Sequence, residues 1–93
     1  MRTIRRTAQF KRDYKREKRG QYRATLDDEL FTVVQLLIID EKLPELMHDH
    51  SLTGNLKDCR DCHIKPDLIL IYRKINDDFL ELIRVGSHSE LGF

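Results

Sequence analysis

The fold is decided by residues 59–85, which read CRDCHIKPDLILIYRKINDDFLELIRV. Two turn signals, Lys65-Pro66-Asp67 and Asn76-Asp77-Asp78, divide this stretch into three segments with the apolar and β-branched character of strands. The middle segment begins Leu68-Ile69-Leu70-Ile71-Tyr72, which has no charged side chain and is typical of a strand buried on both faces. The stretch therefore predicts three adjacent antiparallel strands joined by two hairpins.

The residues before this stretch predict a short strand and two helices. Residues 2–6 favour a strand with Ile4 facing inward. A narrow apolar stripe in a basic background predicts a helix from Thr7 to Gly20, which ends there because glycine readily adopts positive φ. Thr25 and Asp28 resemble a capping box that opens a second helix. Six apolar residues recur at helical spacing on one face of that helix: Leu26, Leu30, Val33, Val34, Leu37 and Ile38.

These elements predict an α+β fold in the order β-α-α-β-β-β. Two N-terminal helices would pack on one face of a mainly antiparallel four-stranded sheet. Residues 40–54 read as a loop, and Gly86 is expected to release the chain into an irregular tail. Residues 1–93 are expected to form a single domain, because a second core would require roughly 50 further residues.

The net charge of +1 is the sum of a basic N-terminal segment and an acidic remainder. Residues 1–23 contain ten Lys or Arg against two acids, a balance of +8, and the remaining residues contain seven against fourteen, a balance of −7. This density predicts a nucleic-acid or polyanion contact, although a merely solvated helix face remains an equal alternative. The first helix supplies most of these charges: Lys11, Arg12, Lys15, Arg16, Lys18 and Arg19. Neither a signal peptide nor a membrane span is recognisable, so a cytoplasmic protein without membrane contact is expected.

Five polar residues of the second half are candidates for acid–base chemistry: His50, His63, Asp67, Arg84 and His88. In a three-stranded meander, the start of the second strand and the end of the third lie at the same edge of the sheet. The residues at positions 63, 67, 84 and 88 are therefore expected within reach of one another. Imidazoles beside a carboxylate and a guanidinium suit phosphodiester cleavage, but separate surface histidines are the alternative. His48 has no such context and is interpreted as a surface residue.

Other chemical motifs carry little weight. Cys59-Arg60-Asp61-Cys62-His63 matches the haem-attachment pattern C-x-x-C-H, but residues three apart on a strand point to opposite faces. The two cysteines are therefore interpreted as reduced packing residues, with no haem, metal or other cofactor expected. No glycine-rich phosphate loop is present, and the adjacent Ser87 and His88 cannot form a nucleophile–base pair.

The ordered motifs of the second half resemble the YafQ branch of the RelE-like toxins, which belong to bacterial type II toxin–antitoxin modules. The matching segments are His50 to Gly54 (H-x-L-x-G), Arg60 to Asp67 (R-D-x-H-x-x-P-D), Leu70 to Tyr72 (L-I-Y) and Arg84 to His88 (R-x-G-x-H). The predicted element order also matches, so the resemblance covers the whole chain.

The resemblance implies a metal-independent endoribonuclease that cuts mRNA in the ribosomal A site through attack of the 2′-hydroxyl on the phosphate. By motif, His50, His63, Asp67 and His88 correspond to acid–base residues, and Arg84 to the phosphate-binding arginine. The basic residues of the first helix would contact ribosomal RNA, and Arg60 and Phe93 would contact RNA. A cognate antitoxin is implied as the protein partner, and the complex would bind operator DNA only through that antitoxin.

Two departures from the family pattern motivate an alternative function. Leu68 stands directly after Asp67, where the pattern has Trp, and Leu56 stands where the pattern has an aromatic residue. Aromatic side chains near such a site stack on RNA bases, which contributes about 1–3 kcal/mol per base. The alternative is a catalytically weakened relative that acts as an antitoxin-binding, autoregulatory module.

Overall fold

One five-stranded sheet organises the molecule in a computed structural model that describes residues 1–93. The strands are β1 (Thr3–Arg6), β2 (His50–Ser51), β3 (Arg60–Lys65), β4 (Leu68–Ile75) and β5 (Phe79–Gly86). The helices are α1 (Ala8–Glu17), α2 (Leu26–Ile38) and α3 (His88–Leu91). The strand order is β1-β5-β4-β3-β2, with β1 parallel to β5 and all other pairs antiparallel. The α+β class and both hairpins are therefore confirmed.

The main core lies between the sheet and the two N-terminal helices, on what we call the helix face. Its cluster of 16 buried residues includes every predicted apolar residue of α2 and three alternate residues of β4, namely Leu68, Leu70 and Tyr72. Burying one such Leu or Ile side chain stabilises the fold by about 1.5–3 kcal/mol. The helical spacing in α2 and the apolar run in β4 thus predicted the core correctly.

The other face of the sheet, which we call the open face, carries only a small apolar cluster. Its buried members are Cys59, Ile69 and Ile71. Cys62 belongs to the helix-face cluster instead, so the two cysteines lie on opposite faces as predicted. Both are free and buried, and burial raises the pKa of the Cys62 thiol to about 12. A thiol in this environment is inert packing.

Two short elements correct the predicted topology. The four-stranded sheet was wrong because the two residues of β2, in the predicted loop, pair with Asp61 and Arg60 of β3 and add a fifth strand. The irregular tail was also wrong, because Ser87 opens α3 with a complete capping box to Glu90. That Ser-x-x-Glu spacing is itself a helix-start signal in the sequence.

Smaller differences concern the N-terminal half. Thr25 makes no capping hydrogen bond; instead, Leu26 continues from a preceding turn by donating its N–H to the Tyr22 carbonyl. Gly20 does not have positive φ, and α1 already ends at Glu17. Ile4 is 42% exposed rather than inward-facing. No helix combines the length and the apolar character that crossing a membrane requires.

Candidate active site

Strand register assembles the candidate residues on the open face. One row across the sheet reads His50, Asp61, Ile71 and Arg84, each the partner of the next on the neighbouring strand. The adjacent row contains His63, Ile69 and Gly86. Cross-strand partners point to the same face and neighbouring strands lie about 5 Å apart. The open face therefore displays a polar strip above its small apolar cluster.

Three histidine rings form a line along this strip. The His63 ring lies between those of His48 and His88, with centroid separations of 5.7 and 5.4 Å and edge-on geometry. Burial lowers the pKa of His63, while the nearby Asp61 carboxylate opposes that shift. His63 is therefore a neutral imidazole at pH 7, able to accept a proton. His48 is exposed, as predicted, but it does have a context in the site, because its ring lies beside that of His63.

His88 is fixed by Asp67 where the β3–β4 turn meets the start of α3. The Asp67 Oδ1 lies 2.6 Å from Nδ1 of His88 and also accepts the His88 backbone N–H at 2.9 Å. These two hydrogen bonds, the backbone bond first, lower the pKa of Asp67 and keep it a carboxylate. The other ring nitrogen of His88, Nε2, is left for a ligand. The predicted proximity of positions 63, 67 and 88 is thus present.

Asp61 lies beneath the histidines and was missed as a site residue. It is 3% exposed, and burial raises its pKa. Its Oδ1 lies 3.1 Å from Nε2 of His50 without an aligned hydrogen bond. The sequence did contain a signal, because positions 61 and 63 of a strand face the same way. A buried carboxylate with unused acceptor capacity in a polar strip is typical of functional sites.

A second carboxylate, Asp49, directly precedes His50 and anchors the chain at the β2 edge of the sheet. The Asp49 Oδ1 accepts from the buried Tyr72 hydroxyl at 2.6 Å and from Arg60 Nε at 3.1 Å. Arg60 also donates to the Ser51 hydroxyl at 2.8 Å. The guanidinium predicted to contact RNA is therefore engaged in fixing the two-residue strand that carries His50.

Arg84 is held at the opposite edge of the sheet. Its Nε and Nη2 donate to the two oxygens of Asp13 on α1, both at 2.9 Å. Asp13 is completely buried, and although burial alone would raise its pKa, its hydrogen bonds, Arg84 first, hold the pKa below the usual value. Arg84 shares the row of His50 and Asp61 by register, but its only side-chain partner is this carboxylate.

The basic residues of α1 and the turn after it divide into three groups. Lys11, Arg12, Lys15 and Arg19 are exposed. Lys18 pairs with Asp27 at 2.9 Å. Arg16 is part-exposed, but its guanidinium is engaged within the protein, because it donates to Asp13, Glu17 and the Val85 carbonyl and pairs with Glu90. At the C-terminus, Phe93 is 50% exposed and follows α3.

Comparison with known proteins agrees with this fold. Residues 2–92 match the family model described as the bacterial toxin of type II toxin–antitoxin system, YafQ. The chain belongs to the YafQ toxin family. The mRNA interferase toxin YafQ of Escherichia coli K12 is 47% identical over 49 residues, which are 53% of this chain and 52% of that protein.

Two solved structures of YafQ-like toxins extend the similarity to nearly the full chain. The E. coli DinJ–YafQ complex contains a chain with a TM-score of 0.81 and 36% identity, covering 98% of each chain. A metal-bound toxin from Helicobacter pylori has a TM-score of 0.83 and 38% identity, covering 98% of this chain and 99% of that one. In the present chain, no three His, Cys, Asp or Glu side chains have a geometry that could hold a metal ion, so its residues do not fit such a site.

The departures from the YafQ pattern concern packing in this chain. Leu68 is completely buried in the helix-face cluster, so its side chain is not available to stack on a ligand at the open face. Leu56 is half-buried against the small open-face cluster. The candidate stacking side chain of this YafQ toxin is instead the exposed ring of Phe93.

Proposed function

We propose that this YafQ toxin is an endoribonuclease that cuts mRNA on the ribosome. The observation that carries the proposal is the His63–His88–Asp67 group, which places a neutral imidazole 5.4 Å from an imidazole fixed by a carboxylate. The E. coli relative named mRNA interferase supports the same substrate class. The remaining strip residues fit a reaction that moves two protons and stabilises one anion.

The two imidazoles divide the proton transfers. His63 takes the proton of the 2′-hydroxyl, because its lowered pKa leaves it neutral near pH 7. The 2′-oxygen then attacks the adjacent phosphorus, and the bond to the 5′-oxygen breaks. His88, held through Nδ1 by Asp67, donates a proton from Nε2 to the leaving 5′-oxygen. The products are a 2′,3′-cyclic phosphate and a free 5′-hydroxyl, with neither redox change nor metal in any step.

Three further residues support this reaction. Arg84 stabilises the extra negative charge of the pentacoordinate phosphorane, a role that suits a guanidinium with unused donors. His50 and Asp61, whose nearest atoms lie 3.1 Å apart, bind a substrate hydroxyl or water at the His63 side of the strip, because Oδ1 of Asp61 has no hydrogen-bond partner within the protein. Phe93 stacks on an RNA base beside the cut, as an exposed aromatic ring can.

Docking on the ribosome would use the exposed Lys and Arg side chains of α1 and of the turn after it. Lys11, Arg12, Lys15 and Arg19 are free to meet phosphates, and removing any one of these charges should weaken binding and reduce its salt dependence. Replacing Lys11 and Lys15 by Gln should raise the apparent KM for programmed ribosomes. The matched control replaces the exposed Lys42 and Lys57, which lie outside this region. Equal effects of both pairs would exclude a specific role for the helix.

A cognate antitoxin is expected, because the E. coli relative was solved in complex with DinJ. On this chain, the groove between β1, α1 and α2 is the surface that suits it. This groove of about 850 Å³ has an apolar floor, including the 64%-exposed Phe31, and a rim with Arg6, Lys11 and Lys15. Such a rim suits an apolar antitoxin segment flanked by acidic residues. Operator DNA would be bound by the antitoxin of the complex. Phe31→Glu should weaken antitoxin binding about 10-fold or more, whereas the control Leu46→Glu, at an 87%-exposed leucine, should not.

The catalytic proposal is tested by adding the purified chain to mRNA with and without ribosomes. We expect 2′,3′-cyclic phosphate ends only with ribosomes, and no cleavage by His63→Ala or His88→Ala. Cleavage of naked RNA that is insensitive to EDTA would indicate a free-standing ribonuclease. A folded chain that binds antitoxin and operator complex but never cleaves would favour the autoregulatory module instead.

A further inference from the structure

We propose that Asp13 is a positioning residue for Arg84, which fixes the guanidinium so that its free edge meets the phosphate. This inference rests on the proposed function and adds a residue outside the open-face strip. Asp13 lies on α1, 71 residues before Arg84 in the chain, and no part of it is exposed. A buried carboxylate is tolerated only when it is paired and fully hydrogen-bonded.

The surroundings of Asp13 satisfy that condition and place it at the edge of β5. Oδ2 accepts the Val85 backbone N–H at 3.2 Å, while Oδ1 accepts from Arg16 at 2.9 Å and from Gln9 at 3.3 Å. Strand β1 pairs with β5 only as far as Leu82, so α1 takes over the edge beyond it. The same carboxylate thus binds both the backbone of β5 and a side chain that β5 carries.

The hydrogen bonds of Arg84 leave one edge of its guanidinium unused. A guanidinium has five N–H donors, and Asp13 engages those of Nε and one of Nη2. Nη1 has no partner, and the side chain is 29% exposed. The Nη1 and Nη2 ends together form the fork that binds two phosphate oxygens in parallel. Asp13 therefore binds the Nε–Nη2 edge of the guanidinium and leaves the Nη1–Nη2 edge for the phosphate.

The positional effect follows from the length of an arginine side chain. Without Asp13, four rotatable bonds would have to be ordered each time a phosphate binds, and the fork would sample positions away from the row of His50 and Asp61. A displacement of about 1 Å in a reacting group can cost on the order of 100-fold in rate. Removing Asp13 should consequently lower kcat more than it raises KM.

A double-mutant cycle tests the coupling, with single-turnover cleavage of mRNA on programmed ribosomes as the measurement. Asp13→Asn should lower the cleavage rate about 10- to 100-fold. In the Arg84→Gln background, the same change should alter the rate by less than about 2-fold, because a positioning residue has nothing left to position. The control Asp40→Asn removes a carboxylate that likewise accepts from two cations, Arg2 and Lys74, and should leave the rate unchanged.

Folding is monitored through Tm in each variant. If Asp13→Asn is unfolded at the assay temperature, Asp13→Glu replaces it in the cycle, since it keeps the charge but shifts the guanidinium by the length of one methylene. The same rate loss in both backgrounds would overturn the inference alone. A normal rate for Arg84→Gln would overturn both this inference and the phosphate role of Arg84. A wild-type chain that fails to cleave would overturn the proposed function itself.

Discussion

The two faces of the sheet divide stability and chemistry between the same strands. On the helix face, alternate residues of β3, β4 and β5 enter a cluster of 16 buried residues. On the open face, the buried apolar cluster has only three members, and the intervening residues of these strands include His63, Asp61 and Arg84. A strand alternates its side chains, so it can supply a dry core and a polar strip at once.

The difference also shows how the polar strip is kept rigid without a core of its own. Each end of the row is anchored by an aspartate: Asp49 binds Tyr72 and Arg60 at one edge, and Asp13 binds Arg84 and Arg16 at the other. Tyr72 belongs to the helix-face cluster, and α1 packs along β5. Asp49 and Asp13 therefore connect the polar strip to the packed residues of the helix face and of α1.

The largest difference between the effect on cleavage and the effect on stability is expected for substitutions of His63 and His88. His63→Gln and His88→Gln should each reduce cleavage about 100- to 10,000-fold, with Tm nearly unchanged because neither ring is in the main core. If His63 is the base, its removal should also abolish the acid limb of the rate–pH profile. A large drop in Tm for either variant would mean that the open face also carries stability.

Truncation on the helix face should give the reverse result. Leu70→Ala should lower the free energy of unfolding by about 2–5 kcal/mol, because Leu70 is completely buried in the main cluster. The matched open-face variant Leu52→Ala, at a half-buried leucine, should cost much less. Urea denaturation of both variants provides the measurement. Equal costs would contradict the division between the faces.

Removing the Tyr72–Asp49 hydrogen bond, which links the two faces, should have smaller effects on both stability and cleavage. Tyr72→Phe removes one of the donors to Asp49 and should cost about 1–2 kcal/mol of stability. Because Asp49 precedes His50, cleavage should also fall modestly. Hydrogen exchange of the β2 amides would reveal local opening at that edge, and unchanged protection there would argue against the anchoring role.

The least disruptive change is expected at Asp61, where stability should rise and the rate–pH profile should shift. Its raised pKa means that the ionised form disfavours the folded state, so Asp61→Asn should raise Tm at pH 7. The gain should vanish below about pH 4, where the unfolded chain is also protonated. Asp61 also raises the pKa of His63, so its loss should move the acid limb of the activity profile to lower pH. Thermal melts at the two pH values and an NMR titration of His63 would check both signs; a limb that moves upward would contradict the assignment.

Much of this architecture could be predicted from local patterns. The six apolar residues of α2 and the strand at Leu68 to Tyr72 were correct because periodicity reflects burial directly. The positions of His63, Asp67 and His88 followed from two tight turns. β2 was missed because two residues carry no periodicity, and its pairing depends on contacts with β3.

The sequence by itself determined the apolar face of α2, the three strands and the turns that join them, and the proximity of His63, Asp67 and His88. Those properties depend on neighbours a few residues apart. Only the tertiary structure decided that α1 lies along β5, which gave the Arg16 guanidinium partners within the protein and brought Asp13 to Arg84. The physical reason is that an unpaired strand edge and a buried carboxylate must satisfy their hydrogen bonds with whatever the folded chain brings near.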